Sequence, residues 1–156
     1  MRYNSVMEKI STAIIGGGAS GLFLANQLNE SGKTVLFERG DRLGKKLSAT
    51  GNGQGNISNL SVEDGGYFSV CDKANDRAVN IVREFGQERL VSFFRELGVL
   101  LFADERRRIY PSSRQASALT DALRFSLQNK AVETRLSTRV TAMEQPKGGF
   151  ILIAEV

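Results

Sequence analysis

The sequence predicts an α/β fold: a central parallel sheet with helices against it and a small β-meander. Three observations lead there. A short apolar run at residues 12–15 leads into Gly16-Gly17-Gly18-Ala19-Ser20-Gly21. Helical spacing begins at Ala19, with Leu22, Ala25 and Leu28 along one face. A second apolar run, residues 33–38, ends in Glu38. Strand, glycine turn, helix and strand within about 30 residues form a βαβ unit, whose two strands run parallel.

Thr12-Ala13-Ile14-Ile15 reads as a buried strand. Ser31-Gly32 is expected to close the first helix, because glycine takes the left-handed C′ conformation cheaply. Residues 40–66 are rich in glycine and asparagine and read as one long loop. A structureless stretch of that length in a compact domain is usually functional or disordered. Helical periodicity returns at 76–85, through Ala78, Ile81, Val82 and Phe85. It continues at 87–97, through Leu90, Val91, Phe93, Phe94 and Leu97, and Gly98 ends it. Residues 99–102 and 107–110 suit short strands. Pro111-Ser112-Ser113 starts a helix over about residues 114–128. Strands follow at 132–136, 139–144 and 150–155, with Pro146-Lys147-Gly148-Gly149 turning between the last two. Residues 1–156 are expected to form one domain, with residues 1–10 a flexible lead. The apolar strand at the end, without a polar cap after Val156, reads as a portion of a longer protein.

Composition narrows the chemistry. Of 16 glycines, twelve lie between residues 16 and 66, so the excess is local. The chain has no histidine, which excludes a Ser–His or Cys–His nucleophile built within it, and histidine metal sites as well. A single cysteine, Cys71, cannot form an internal disulfide and suits a reducing cytoplasm. No apolar run approaches the ~20 residues of a membrane span, and residues 1–10 lack a signal-peptide core. Twenty-one basic and 17 acidic residues give a net charge of +4, which favours anionic ligands without pointing to nucleic acid. Arg106-Arg107-Arg108 follows Asp104-Glu105 and reads as a solvated turn. Tyr110, Cys71 and Arg114 carry no catalytic assignment and read as structural or surface residues.

Gly16, Gly18 and Gly21 have dinucleotide-binding spacing at a strand end that opens a helix. Gly16 allows the tight turn, Gly18 lets backbone approach a pyrophosphate, and Gly21 permits close helix–strand packing. The helix N-terminus offers free N–H groups and partial positive charge to phosphates, and the Ser20 hydroxyl adds a donor. Glu38 stands where a carboxylate accepts hydrogen bonds from an adenosine ribose. A carboxylate there disfavours a 2′-phosphate, and so NADP. A second segment alternates glycines at 51, 53 and 55 with Asn52, Gln54 and Asn56, after Lys45-Lys46. Such backbone can lie against a planar or phosphate ligand, or form a flexible surface loop. A unit for NAD alone needs nothing after Glu38.

The strings AIIGGGASGLFLANQL, LFERGDRLGKKL and ATGNGQGNISN resemble the N-terminus of the YhiN-type, or aminoacetone-oxidase, family of NAD(P)/FAD-dependent flavoproteins. The run from Arg108 through Tyr110-Pro111-Ser112-Ser113 to Ala116 is similar to that family's segment before a helix. The resemblance implies a Rossmann-like FAD/NAD(P)-binding domain of the glutathione-reductase-like flavoprotein type, holding FAD. It places the ADP half on Gly16, Gly18, Ala19, Ser20, Gly21 and Glu38, with Arg39 beside the ribose. It places Lys46, Thr50, Gly51, Gly53 and Asn56 along the pyrophosphate and toward the flavin, and sets the strand holding Val140 at the adenine edge. Many family members have arginine then cysteine where this chain has Gln54-Gly55, so any role for that pair is absent here. Family members are also much longer. The expected function is therefore the FAD-binding portion of a flavin oxidoreductase. An NAD-binding module of a dehydrogenase, or a truncated nucleotide-binding domain without activity, is the alternative. NAD(P)H or a small-molecule substrate is expected as a partner of the full-length protein, with neither nucleic acid nor membrane.

Overall fold

The computed structural model describes residues 7–28, 32–62 and 70–156. In chain order the strands and α-helices are β1 (Thr12–Ile15), α1 (Ala19–Gln27), β2 (Thr34–Phe37), β3 (Ser58–Asn59), α2 (Asp72–Glu84), α3 (Gln87–Glu96), β4 (Leu101–Ala103), β5 (Arg108–Pro111), α4 (Ala116–Ser126), β6 (Val132–Arg135), β7 (Arg139–Glu144) and β8 (Ile151–Glu155). They divide between two compact units. The first comprises Met1–Lys45 with Arg124–Val156, and the second comprises Lys46–Leu123.

The first unit holds the expected parallel sheet, in the order β1-β2-β6. Thr12 pairs with Thr34 and Ile15 with Phe37; Thr34 in turn pairs with Val132 and Phe37 with Arg135. Every residue of β2 is buried, as an uninterrupted Val35-Leu36-Phe37 run requires of a central parallel strand. Leu22 of α1 and Leu36 of β2 are fully buried, each contributing about 2 kcal/mol through removal of apolar surface from water. β1 departs from expectation. Among the described residues it is an edge strand, so only Ile14 is buried and Ile15 is 56% exposed.

α1 also ends earlier than Ser31-Gly32 would place it. Its last residue is Gln27, and Leu28 is already extended. Ser31 lies outside the described residues. Gly32 has φ +147°, and a Cβ on it would lie 2.5 Å from the Ser11 hydroxyl. Its glycine therefore serves the close approach of two chain segments entering β1 and β2. On β6, Glu133 binds Lys33 (2.8 Å) and the Arg135 guanidinium (2.6 Å), while Glu8 binds both Lys33 and Arg135. The Arg135 and Lys33 hydrogen bonds pull the Glu133 carboxyl from its ordinary 4.5 down to about 2. Where a small β-meander is expected, β7 and β8 form a two-stranded antiparallel hairpin with an irregularity between Val140 and Ala142.

The second unit has an antiparallel sheet ordered β3-β5-β4. Phe93, Phe94, Val99, Ile109, Tyr110 and Leu119 are among its buried residues. Phe93 and Phe94 pack edge to face, with centroids 5.3 Å apart. The long loop expected over residues 40–66 contains, among its described residues, a 3-10 turn at Leu47–Ala49 and the strand β3. Gly65 and Gly66 lie outside the described residues, as do residues 1–6 of the expected flexible lead. α2 begins at Asp72, four residues before the apolar periodicity. Gly98, at φ +81°, closes the turn after α3 as expected, its N–H bonded to the Arg95 carbonyl.

Candidate functional site

In the first unit the chain leaves β1 at Gly16, whose N–H donates to the Phe37 carbonyl at 2.8 Å. Gly16 has φ +100°, a conformation that L side chains resist. Two further glycines answer to packing. A Cβ on Gly21 would stand 2.0 Å from the Gly16 carbonyl oxygen, so the first turn of α1 fits against the strand end only without a side chain. A Cβ on Gly17 would stand 2.3 Å from Leu43 Cδ2.

Gly18 is different. Its φ of −77° and ψ of −168° are open to any residue, and a Cβ there would meet nothing within 4 Å. Neither backbone strain nor an internal neighbour calls for glycine at this position. Gly18 is exposed and caps α1, with Ala19 and Ser20 exposed in its first turn. The first N–H groups of a helix have no intrahelical partner, and this first turn carries no acidic residue to compete for them. The arrangement is a cradle for an anion that comes close to backbone.

Glu38 lies at the lip of the same turn. Its Oε2 accepts the Gly17 N–H at 2.8 Å and its Oε1 accepts the Gly40 N–H at 2.7 Å. A carboxylate has about four acceptor positions, so these bonds leave capacity for ligand hydroxyls. Arg39 is exposed beside it. The segment before β7 runs alongside: Ser137 and Thr138 donate their N–H groups to the carbonyls of Gly40 (2.8 Å) and Glu38 (2.9 Å). Val140, half-buried and paired with Ala154, follows two residues later. The first unit thus gathers Gly16, Gly18, Ala19, Ser20, Gly21, Glu38, Arg39 and the start of the strand carrying Val140.

Lys46, Thr50, Gly51, Gly53 and Asn56 belong to the second unit, where most of their polar groups hold the loop itself. Lys46 is exposed ahead of the 3-10 turn. The Thr50 hydroxyl donates to the Leu47 carbonyl at 2.8 Å. The Asn56 amide donates to the carbonyls of Ser58 (3.1 Å) and Ile109 (3.2 Å), tying the loop to β5. Gly51 has φ +58°, and a Cβ on it would lie 2.6 Å from the Asn56 nitrogen. Gly53 has φ +80°, and its carbonyl accepts the Ala116 N–H at 2.8 Å. Gly55, at φ +77°, packs so closely on α4 that a Cβ would lie 2.9 Å from Ala116 Cα.

Sequence reasoning missed Leu43. It is buried against Gly17, and the adjacent Gly44 donates its N–H to the Gly17 carbonyl at 2.7 Å. The only sequence signal is one apolar residue inside an otherwise polar stretch after Glu38.

Comparison with known proteins agrees with this architecture. Over 146 residues the chain is 33% identical to a 3-dehydro-bile acid delta(4,6)-reductase of Clostridium scindens, covering 91% of this chain and 34% of that protein. Over 156 residues it is 28% identical to the ribosomal RNA dihydrouridine synthase of Escherichia coli, covering 94% of this chain and 36% of that protein. The chain therefore spans about a third of the length of these curated relatives. Among solved structures, the open conformation of a flavocytochrome c3 fumarate reductase superimposes with a TM-score of 0.55 at 15% identity, covering 92% of this chain and 31% of that one. That likeness establishes a Rossmann-like fold shared with a flavoprotein. The description that matches residues 10–155 is the HI0933-like protein Rossmann domain, and the chain belongs to that family.

Proposed function

We propose that the first unit binds the ADP half of FAD, and that the chain is the cofactor-holding portion of a YhiN-type flavin-dependent oxidoreductase. The observation that carries this is Gly18, a glycine required by neither its conformation nor its neighbours, at the mouth of a helix N-terminus. Close approach of a pyrophosphate explains it. The N–H groups of the α1 first turn bind the phosphates, Ser20 adds a hydroxyl, and Glu38 accepts the ribose hydroxyls. The same carboxylate repels a 2′-phosphate, so NADP is disfavoured here. The flavin supplies the redox chemistry when bound, and the protein positions it. Lys46 and the loop 50–56 enter as cofactor contacts through the family resemblance and through the alternating glycines. The two curated relatives are named for different substrates, a bile acid and ribosomal RNA, yet both match this same portion. A shared portion with divergent substrates fits a cofactor role better than substrate selection. The charge-based expectation of no nucleic-acid partner does not carry over to the whole protein, since one relative is named for ribosomal RNA.

Calorimetry with FAD and with ADP, alongside the visible spectrum of the purified protein, tests the proposal. Both ligands should bind, and Glu38→Ala should weaken both about tenfold, as expected for losing hydrogen bonds to a charged group. The variant should remain folded by circular dichroism. Unchanged ADP affinity in Glu38→Ala would remove this residue from the site.

A further inference from the structure

We infer that Leu43 is a positioning residue for the phosphate turn, holding it in its binding conformation without touching the ligand. The inference rests on the nucleotide reading given above and adds a residue to it. The peptide groups of Gly17 are fully committed to the segment that follows β2. Its N–H donates to Glu38 Oε2 at 2.8 Å, and its carbonyl accepts the Gly44 N–H at 2.7 Å. Between these two bonds the Leu43 side chain occupies the space that a Cβ on Gly17 would need, approaching to 2.3 Å of that position. Leu43 is only 8% exposed although its neighbours Arg42 and Asp41 are solvent-facing. Gly44 sits at φ +69°, so the backbone bends there to bring its N–H back toward the turn.

This arrangement fixes the peptide immediately before Gly18. Glycine has the largest conformational freedom of any residue, and three in succession form a floppy turn unless something outside restrains them. Glu38, held by β6, and Gly44 restrain Gly17 by hydrogen bonds, and the Gly44 bond depends on the strap formed by residues 41–44 lying flat against the turn. The buried Leu43 side chain anchors that strap. With it removed, the turn samples conformations whose N–H groups no longer converge, and affinity falls with the fraction of competent molecules.

The test compares Leu43→Ala and Leu43→Met with the unmodified full chain. Three quantities are measured: ADP affinity by calorimetry, hydrogen exchange at the Gly17 amide without ligand, and midpoint stability in urea. Leu43→Ala should weaken ADP binding about tenfold if the competent turn falls to about a tenth of the population. Exchange at the Gly17 amide, which is bonded to Glu38, should accelerate at least about tenfold, beyond any acceleration at the β2 amides. Leu43→Met, which conserves volume, should restore both to within about twofold. ADP affinity or turn exchange unchanged in Leu43→Ala would overturn the inference. So would acceleration spread evenly over the unit, which marks a merely structural residue. An unmodified chain that does not bind ADP would end the nucleotide proposal, while the exchange comparison would still decide whether Leu43 holds the turn.

Discussion

Two glycine-rich turns occupy the two units, and their glycines have different physical origins. At residues 51–55 each glycine has a reason within the chain. All three have positive φ, Gly51 crowds the Asn56 nitrogen, and Gly55 lies against α4. At residues 16–21 three of the four glycines are explained the same way, by the φ of Gly16 and by the contacts at Gly17 and Gly21. Gly18 alone has an ordinary φ and open space around it. Glycine content therefore does not mark a ligand site by itself. A glycine that the fold does not need is the better sign.

Substitutions can break this contrast, beginning with the most severe. Gly21→Val drives a side chain into the Gly16 carbonyl and should lower stability by about 4 kcal/mol or prevent folding, read by urea unfolding. Gly18→Val should cost only about 1 kcal/mol of urea stability, through loss of a favourable N-cap, yet weaken ADP binding at least about a hundredfold, a loss of roughly 2.7 kcal/mol. A Gly18→Val protein that binds ADP normally would erase the distinction between the turns. Gly55→Ala combines strained φ with a close contact on α4, and should cost about 2 kcal/mol of stability. Its effect should appear in unfolding rather than in ADP affinity.

The mildest effect is electrostatic. Glu133 is held at about 2 in the folded state against an ordinary 4.5, so it binds its proton more readily when unfolded. Its stabilising contribution is present above pH 4.5 and is lost as pH falls toward 2. The group is substantially solvent-exposed, so screening keeps the effect small. Glu133→Gln should flatten the acid limb of a stability-against-pH curve, and added salt should do the same in part.

The βαβ unit was legible in the sequence because its signals are local: an apolar run, a glycine turn and a helical stripe lie within one short stretch. The tight turn at Gly16 and the close helix–strand packing at Gly21 were legible for the same reason. β3 was not, because two residues carry no periodicity and Ser58-Asn59 is a strand only through pairing with Ile109 and Arg108. The exposure of Ile15 was hidden too, since composition cannot tell a central strand from an edge strand. Leu43 against Gly17 is a tertiary contact with no spacing rule behind it. The internal reasons for the glycines at 51, 53 and 55 were hidden as well, because alternating glycines look alike whether a ligand or a helix lies against them.

The first unit is discontinuous along the chain, and this affects how it is made. β1, α1 and β2 leave the ribosome early, but the β2 partner Val132 comes only after the whole second unit has been synthesised. Until then the side of β2 away from β1 lacks its strand neighbour, and its apolar Val35-Leu36-Phe37 stretch has charges only at its ends, Lys33 and Glu38. Apolar, β-prone edges of this kind recruit other chains. Non-local pairing is also the slow part of folding. The same register that builds a buried central strand thus creates a window of aggregation risk during synthesis, which lasts until β6 arrives.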